Sequence, residues 1–475
     1  MRPRRLLALL LVAAGVMLVS APESALAHGL VGRQDLPIPK WLFGWGAAVV
    51  LVASFVALAV LWPKPVLERA PERRVAGLAR FLDPLAGALG IATFVLVVYA
   101  GFAGSQASAT NNLAPTVIFV LFWVAIPIVS LFLGDVFRAL NPWRAAARAV
   151  AWLAAKLSRG GLPAPLPYPV RLGRWPAAIG ILAFAWIELV YTGRGDPSNL
   201  AVLALVYVAI QSVGMSLYGI EPWNRYGDAF GVYFGLIARM SPLRWSRAGL
   251  FVRKPLSGLT TIDIVPGTVA LICLIIGTTS FDGFSSGPAW GNIEPDLTNL
   301  FRDLGLGAAN ALQVSSTVGL LAVVLVVAGL YRLGVMGMQT VDPLGASAPE
   351  LAARFAHSLV PIGLAYVVAH YFSLLVIEGQ RMAYLVSDPL GTGANLFGTS
   401  SATVDYAWIS ASAIWYVQVA ALVIGHVAGL VLAHERALVF FDGDSQVATR
   451  SQYWMLVVMI AFTSLGLWLL FAANA

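Results

Sequence analysis

The stretch "AHSLVPIGLAYVVAHYFSLLVIEGQ", Ala356–Gln380, decides what kind of chain this is. A helix needs about 20 apolar residues to cross the hydrocarbon core of a bilayer, and this run supplies them while carrying His357, His370 and Glu378. Lipid offers no partner to a backbone N–H or C=O, so only helices and closed barrels span it. Similar Leu-, Val- and Ala-rich runs recur along the 475 residues, of which 59% are hydrophobic and only 11% charged. A soluble domain carries about 25% charged residues. The chain therefore reads as all-α, a polytopic transmembrane helix bundle whose first partner is the lipid bilayer.

The hydrophobic runs predict ten spans, at about 41–62, 84–104, 115–135, 176–193, 199–218, 262–280, 313–333, 356–378, 405–431 and 452–472. Ahead of them, "MRPRR" is a basic leader, "LLALLLVAAGVMLVS" a short apolar segment and "ALA" a cleavage-type ending before His28. That pattern predicts a secretory signal peptide over 1–27, with a retained anchor as the alternative. The mature chain, 28–475, then forms a single transmembrane domain that starts outside the cytoplasm.

Charge supports that orientation. Of the 30 Lys and Arg residues, 22 fall on the segments this topology places inside and 5 outside, with 3 in the leader. With the acids included, the inside carries +10 and the outside −5, as the positive-inside rule requires. The expected location is a bacterial plasma membrane, with both mature termini outside. The overall charge of +7 thus reflects topology and attraction to an anionic inner leaflet, and implies no nucleic acid. "WRAAARAVAWLAAKLSR" (143–159) reads as a helix along the inner surface, with Arg144, Arg148, Lys156 and Arg159 on one arc and Trp152 and Leu153 towards another.

A short internal repeat runs through 115–404. "SLFLGDVFRALNPW" closes the third span and "SLYGIEPWNRYGDAF" the fifth, while Glu188, Asp282 and Glu378 stand at the outer ends of the fourth, sixth and eighth. Three hairpins of one ancestral type would produce this, a common plan in transport folds.

The polar groups inside the spans are the functional candidates, because an ionisable group in lipid is costly unless paired or shielded. At 1.5 Å rise per residue, His370 lies roughly 20 Å along the helix from His357, and Glu378 roughly 12 Å further. Glu188, Asp282, Glu378 and His370 all fall in the outer half or at the outer edge. Gln418 and His426 on the ninth span bracket the depth of His370, and His434 and Glu435 follow at its inner end. Glu188, His370 and Glu378 are candidate catalytic groups. Together with Asp282 and His426 they offer mixed imidazole and carboxylate donors to a divalent transition metal such as zinc, manganese or iron. Clustered carboxylates can instead relay protons. His28, as a free amino-terminal histidine, is a further candidate for copper. His357 and His370 are 13 residues apart, a spacing that also admits a single haem.

Other chemistry is absent from the pattern. There is no His-Glu-x-x-His helix, Walker loop or dinucleotide fingerprint. "GFSSG" (283–287) matches the nucleophile-elbow pattern in letters only, since that motif needs a strand, a turn and a helix. The single Cys273 excludes a disulfide framework.

"AHGLVGRQDLPIPKWLFGWGAA", "TSFDGFSSGPAW" and "AHYFSLLVIEGQ" together resemble a family of polytopic bacterial, mainly actinobacterial, membrane proteins often catalogued as fenitrothion hydrolase. The resemblance extends over most of the chain. It implies a membrane-bound hydrolase of a lipophilic organophosphate ester, a small-molecule substrate, and carries no catalytic motif with it. Three function classes stay open: a membrane hydrolase, a transporter of a small solute, metal ion or protons, and a non-catalytic subunit.

Overall fold

In the computed structural model, residues 40–473 are described except 69, 78–80, 159–162, 247 and 342–344. The predicted signal peptide and His28 lie outside the described residues. The elements are α1 (Lys40–Leu61), α2 (Leu82–Ala103), α3 (Leu113–Leu133), α4 (Pro142–Leu157), α5 (Trp175–Leu189), α6 (Pro197–Tyr218), α7 (Ala229–Ala238), α8 (Thr268–Ser285), α9 (Pro288–Asp303), α10 (Ala308–Gln339), α11 (Val360–Glu378), α12 (Ala411–Phe440) and α13 (Tyr453–Ala473). Among the described residues, nine helical segments are long and apolar enough to cross a membrane.

The expected fourth span is where the pattern differs. It forms α5, 15 residues long, or roughly 22 Å at 1.5 Å per residue, against a hydrocarbon core of about 30 Å. Pro176 opens it, and the turns of "YTGRGDP" close it before α6. A small three-stranded antiparallel sheet also joins the helices. Its strands are β1 (Arg73–Ala76), β2 (Leu243–Ser246) and β3 (Gly249–Val252) in the order β1-β3-β2, with Arg74 opposite Phe251 and Arg244 opposite Phe251 on the other side.

The sequence reading treats 28–475 as one transmembrane domain; the chain packs as two compact units. The first comprises Met1–Arg69, Ile275–Leu374 and Asp405–Ala475, and the second Ala70–Leu274 and Leu375–Val404.

Aromatic rings form the core of the second unit. Phe122 and Trp123 of α3 meet Phe230 at 4.6 Å and Phe184 at 4.7 Å, and Phe184 meets Phe230 at 5.1 Å. These contacts pin the short helices α5 and α7 to α3. Residues Thr116–Ala125 of α3 are wound with the wider π-helical turn. The two repeat motifs end alike: α3 stops at Gly134 (φ +83°) and α6 at Gly219 (φ +88°), a backbone conformation that favours glycine. Beyond them, buried Asp228 accepts from Asn141, Trp143 and Tyr207, joining the start of α4 to α6 and α7. Two members of the basic arc of α4 are paired, Arg144 with Glu221 at 2.8 Å and Arg148 with Asp83, while Lys156 is exposed over the Trp152 ring and Val150, Trp152, Leu153 and Leu157 are exposed.

In the first unit, close approach and polar anchoring act together. A Cβ on Gly425 would meet the Pro361 carbonyl at 2.8 Å and one on Gly429 the Ser358 carbonyl at 2.8 Å, so this small-xxx-small pair lets α12 lie directly on α11. One turn beyond, "AHER" captures the segment that follows α1. The fully buried Glu435 carboxylate accepts the backbone N–H groups of Val66, Leu67 and Glu68 and the indole N–H of Trp62. His434 Nε2 donates to the Trp62 carbonyl at 3.0 Å, and Arg436 pairs with Glu68 at 2.9 Å. Burial raises the Glu68 carboxyl above its usual range, with nearby Glu435 adding to the rise and Arg436 opposing it.

Glu435→Ala is expected to lower stability by on the order of 3 kcal/mol, because it strips several buried donors of a charged acceptor. Thermal unfolding in detergent would check this; a loss below about 1 kcal/mol would mean that water replaces the carboxylate freely.

Candidate functional site

Asp282 and His370 come together in the first unit. Asp282 lies in the last turn of α8, where the helix runs on through Ser285, and His370 lies in α11. His370 Nε2 is 2.9 Å from Asp282 Oδ2, and the hydroxyl of the adjacent Tyr371 donates to the same oxygen at 2.6 Å. The two rings meet edge-to-face with centroids 4.7 Å apart. An ionised carboxylate has only acceptors, so both neighbours donate to it. Nε2 therefore carries the imidazole proton, and Nδ1 keeps the lone pair.

His370 lines a small cavity of about 20 Å³ together with Thr279, Ser280, Gly283, Tyr366, Ala369, Leu422, Gly466 and Leu469. Such a volume holds roughly one water molecule. A Cβ on Gly283 would stand 3.7 Å from Nδ1, so this glycine keeps the space open beside the ring. Thr279 and Ser280 return their hydroxyls to the Ile275 and Ile276 carbonyls of their own helix, and Tyr366 donates to the Phe462 carbonyl at 2.7 Å. The carboxylate thus fixes the imidazole's tautomer and orientation, as in carboxylate–histidine pairs generally. A proton arriving at Nδ1 would neutralise the site's single negative charge.

The other candidates have separate surroundings. Glu378, expected beside His370, belongs to the second unit; its carboxylate is held by Arg381, whose guanidinium also reaches the Tyr384 hydroxyl at 3.1 Å. Glu188 is half-buried near the end of α5, also in the second unit. The Arg194 guanidinium donates to the Leu189 carbonyl at 3.0 Å. His426 lies in the first unit, fully buried, with Nδ1 2.7 Å from the Leu422 carbonyl. His357 is buried and directs Nδ1 to the Arg354 carbonyl at 3.1 Å. Ser285 bonds back to the Asp282 carbonyl from the end of a helix, not from the strand–turn–helix that a nucleophile elbow requires.

Among the described residues, no group of three or more His, Cys, Asp and Glu side chains comes together to hold a metal ion. Asp282 and His370 offer two donors, whereas zinc centres take three or four protein ligands. The donor set at this dyad therefore does not fit the transition-metal centre expected from the residue types. Tyr371 is the member the sequence reading missed. A helical wheel sets it about 100° from His370, and only a ligand standing between the two side chains, as Asp282 does, unites them.

These long apolar helices define a multi-pass helical membrane protein. In comparisons with models of protein families, with curated proteins and with solved structures, the chain matches none.

Gly283→Ala separates function from folding here. The new methyl makes ordinary contact with the ring, and alanine is a better helix former by about 1 kcal/mol. Thermal stability should hold or rise, while the ¹⁵N resonance of His370 Nδ1 shifts as the adjoining space fills. An unchanged His370 resonance would show that Nδ1 does not face this cavity.

Proposed function

We propose that this protein is a membrane transporter that moves protons through the Asp282–His370–Tyr371 site. One arrangement supports the reading: a carboxylate-oriented imidazole lines a water-sized cavity among membrane-spanning helices. Ionisable groups in such positions mark proton and ion pathways. Nδ1 takes the excess proton of a hydronium ion that reaches the cavity from one side, giving an imidazolium held against Asp282 and leaving water. Return of that proton to water restores the starting state. The cavity has room for water, and proton transfer needs no more.

A second reading follows from the resemblance to the fenitrothion hydrolase family. The same geometry suits general-base activation of water: Nδ1 takes a proton of a water whose oxygen bonds to phosphorus, the P–O bond to the aryl group breaks, and the departing aryloxide takes the imidazolium proton to leave as the alcohol. Room for one water beside Nδ1 favours this reading, although the cavity does not accommodate the ester itself. Under either reading, the site belongs to a bacterial plasma membrane protein with both mature termini outside, as the charge asymmetry supports.

The test reconstitutes the full chain into vesicles containing a pH-sensitive dye, with a potassium diffusion potential as the driving force. Wild-type protein should carry protons inward, and His370→Ala and Asp282→Asn should each lower the rate by about tenfold or more. Release of nitrophenol from a lipophilic nitrophenyl phosphotriester, lost in the same two variants without proton flux, would establish the hydrolase reading instead. If neither activity depends on these residues, both readings fall.

A further inference from the structure

Beside the cavity, α12 carries two buried acceptors that the Asp282–His370 site does not use. Gln418, Leu422 and His426 follow one another at intervals of four residues, and so lie along one side of the helix. Leu422 lines the cavity beside His370. Gln418 Oε1 and His426 Nε2, one turn to either side of it, have no hydrogen-bond partner among the described residues. Both side chains are essentially closed to solvent, at 3% and 0% exposure.

The tautomer of His426 follows from its surroundings. Its Nδ1 is 2.7 Å from the Leu422 carbonyl, which can only accept, so Nδ1 carries the proton and Nε2 is a bare lone pair. Tyr366, which lines the cavity one turn before His370 on α11, brings its ring within 6.2 Å of the His426 ring, centroid to centroid. The close α11–α12 approach at Gly425 sets that neighbourhood. Buried acceptors with no donor are disfavoured, and native interiors meet such groups with ordered water.

We propose that His426 is a second proton-accepting station, joined to His370 Nδ1 by a short file of water that passes Leu422 and Tyr366. This rests on the proton-handling reading of His370 and extends it inward. A proton on the His370 imidazolium passes to the first water as that water passes one onward, and His426 Nε2 takes the last. His426 then becomes an imidazolium donating from both nitrogens, and His370 returns to the neutral tautomer that Asp282 orients. Gln418 Oε1 accepts from the same water file and holds it in place.

The experiment uses full-length protein carrying ¹⁵N-labelled histidine in phosphatidylcholine–phosphatidylglycerol vesicles. Solid-state NMR on protein also labelled with ¹³C measures magnetisation transfer from water protons to each imidazole, with His426 assigned in the wild-type protein by sequential correlation to Gly425 and Val427. The expected spectrum has His426 protonated at Nδ1 and bare at Nε2, with water transfer building up as fast as at His370. A His426 signal with no water transfer, while His370 shows it, would overturn the proposal. In the flux assay, His426→Gln should slow proton movement by about tenfold with His370 still in contact with water. Wild-type flux in His426→Gln, together with loss in His370→Ala, would refute the second station and leave the first intact. Flux indifferent to both substitutions would remove the proton-handling reading itself. Should His426→Gln fail to accumulate, the water transfer in wild-type protein decides the matter alone.

Discussion

A polar group among membrane helices has no solvent to fall back on, so its partners must come from the protein. That constraint shapes the described structure at three carboxylates. Glu435 collects the backbone N–H groups that follow α1 and thereby ties that segment to α12. Asp228 collects three side-chain donors and ties the two chain reversals of the second unit together. Asp282 gathers His370 and Tyr371 on a single oxygen. The first two hold backbone and side-chain donors that fasten one segment of chain to another. The third holds an imidazole that lines a small cavity.

Much of the fold was legible because hydrophobicity over twenty residues is a strong and local signal. Nine of the ten expected spans correspond to helices of sufficient length. The tenth is shorter because Pro176 and the glycine-rich turn after Leu189 bound it, and a smoothed reading of apolar content extends across both. The β-sheet is three four-residue strands, too short for alternation to stand out from loop sequence.

At the site, depth was the legible quantity and lateral position was not. His370 and Asp282 were drawn together by their predicted height, and they do meet. Glu378 shared that height and even the helix of His370, but Arg381, three residues on, holds its carboxylate. Local ion pairs of this kind compete with any long-range partner, and a pattern of acids at helix ends does not register them. The role of Gly283 was illegible for a different reason: a missing side chain acquires meaning only once its neighbour across the helix interface is known.

The short helices of the second unit bear on the membrane itself. At roughly 22 Å, α5 presents an apolar length several ångströms below that of an average bilayer, and Ile179 on it is exposed. A bilayer accommodates such a mismatch by thinning locally or by letting flanking groups reach outward, at fractions of a kcal/mol per ångström. Lipid packed against α5 would be drawn inward to match it, which would couple this unit to acyl-chain length through a helix that contributes nothing to the acid–imidazole pair.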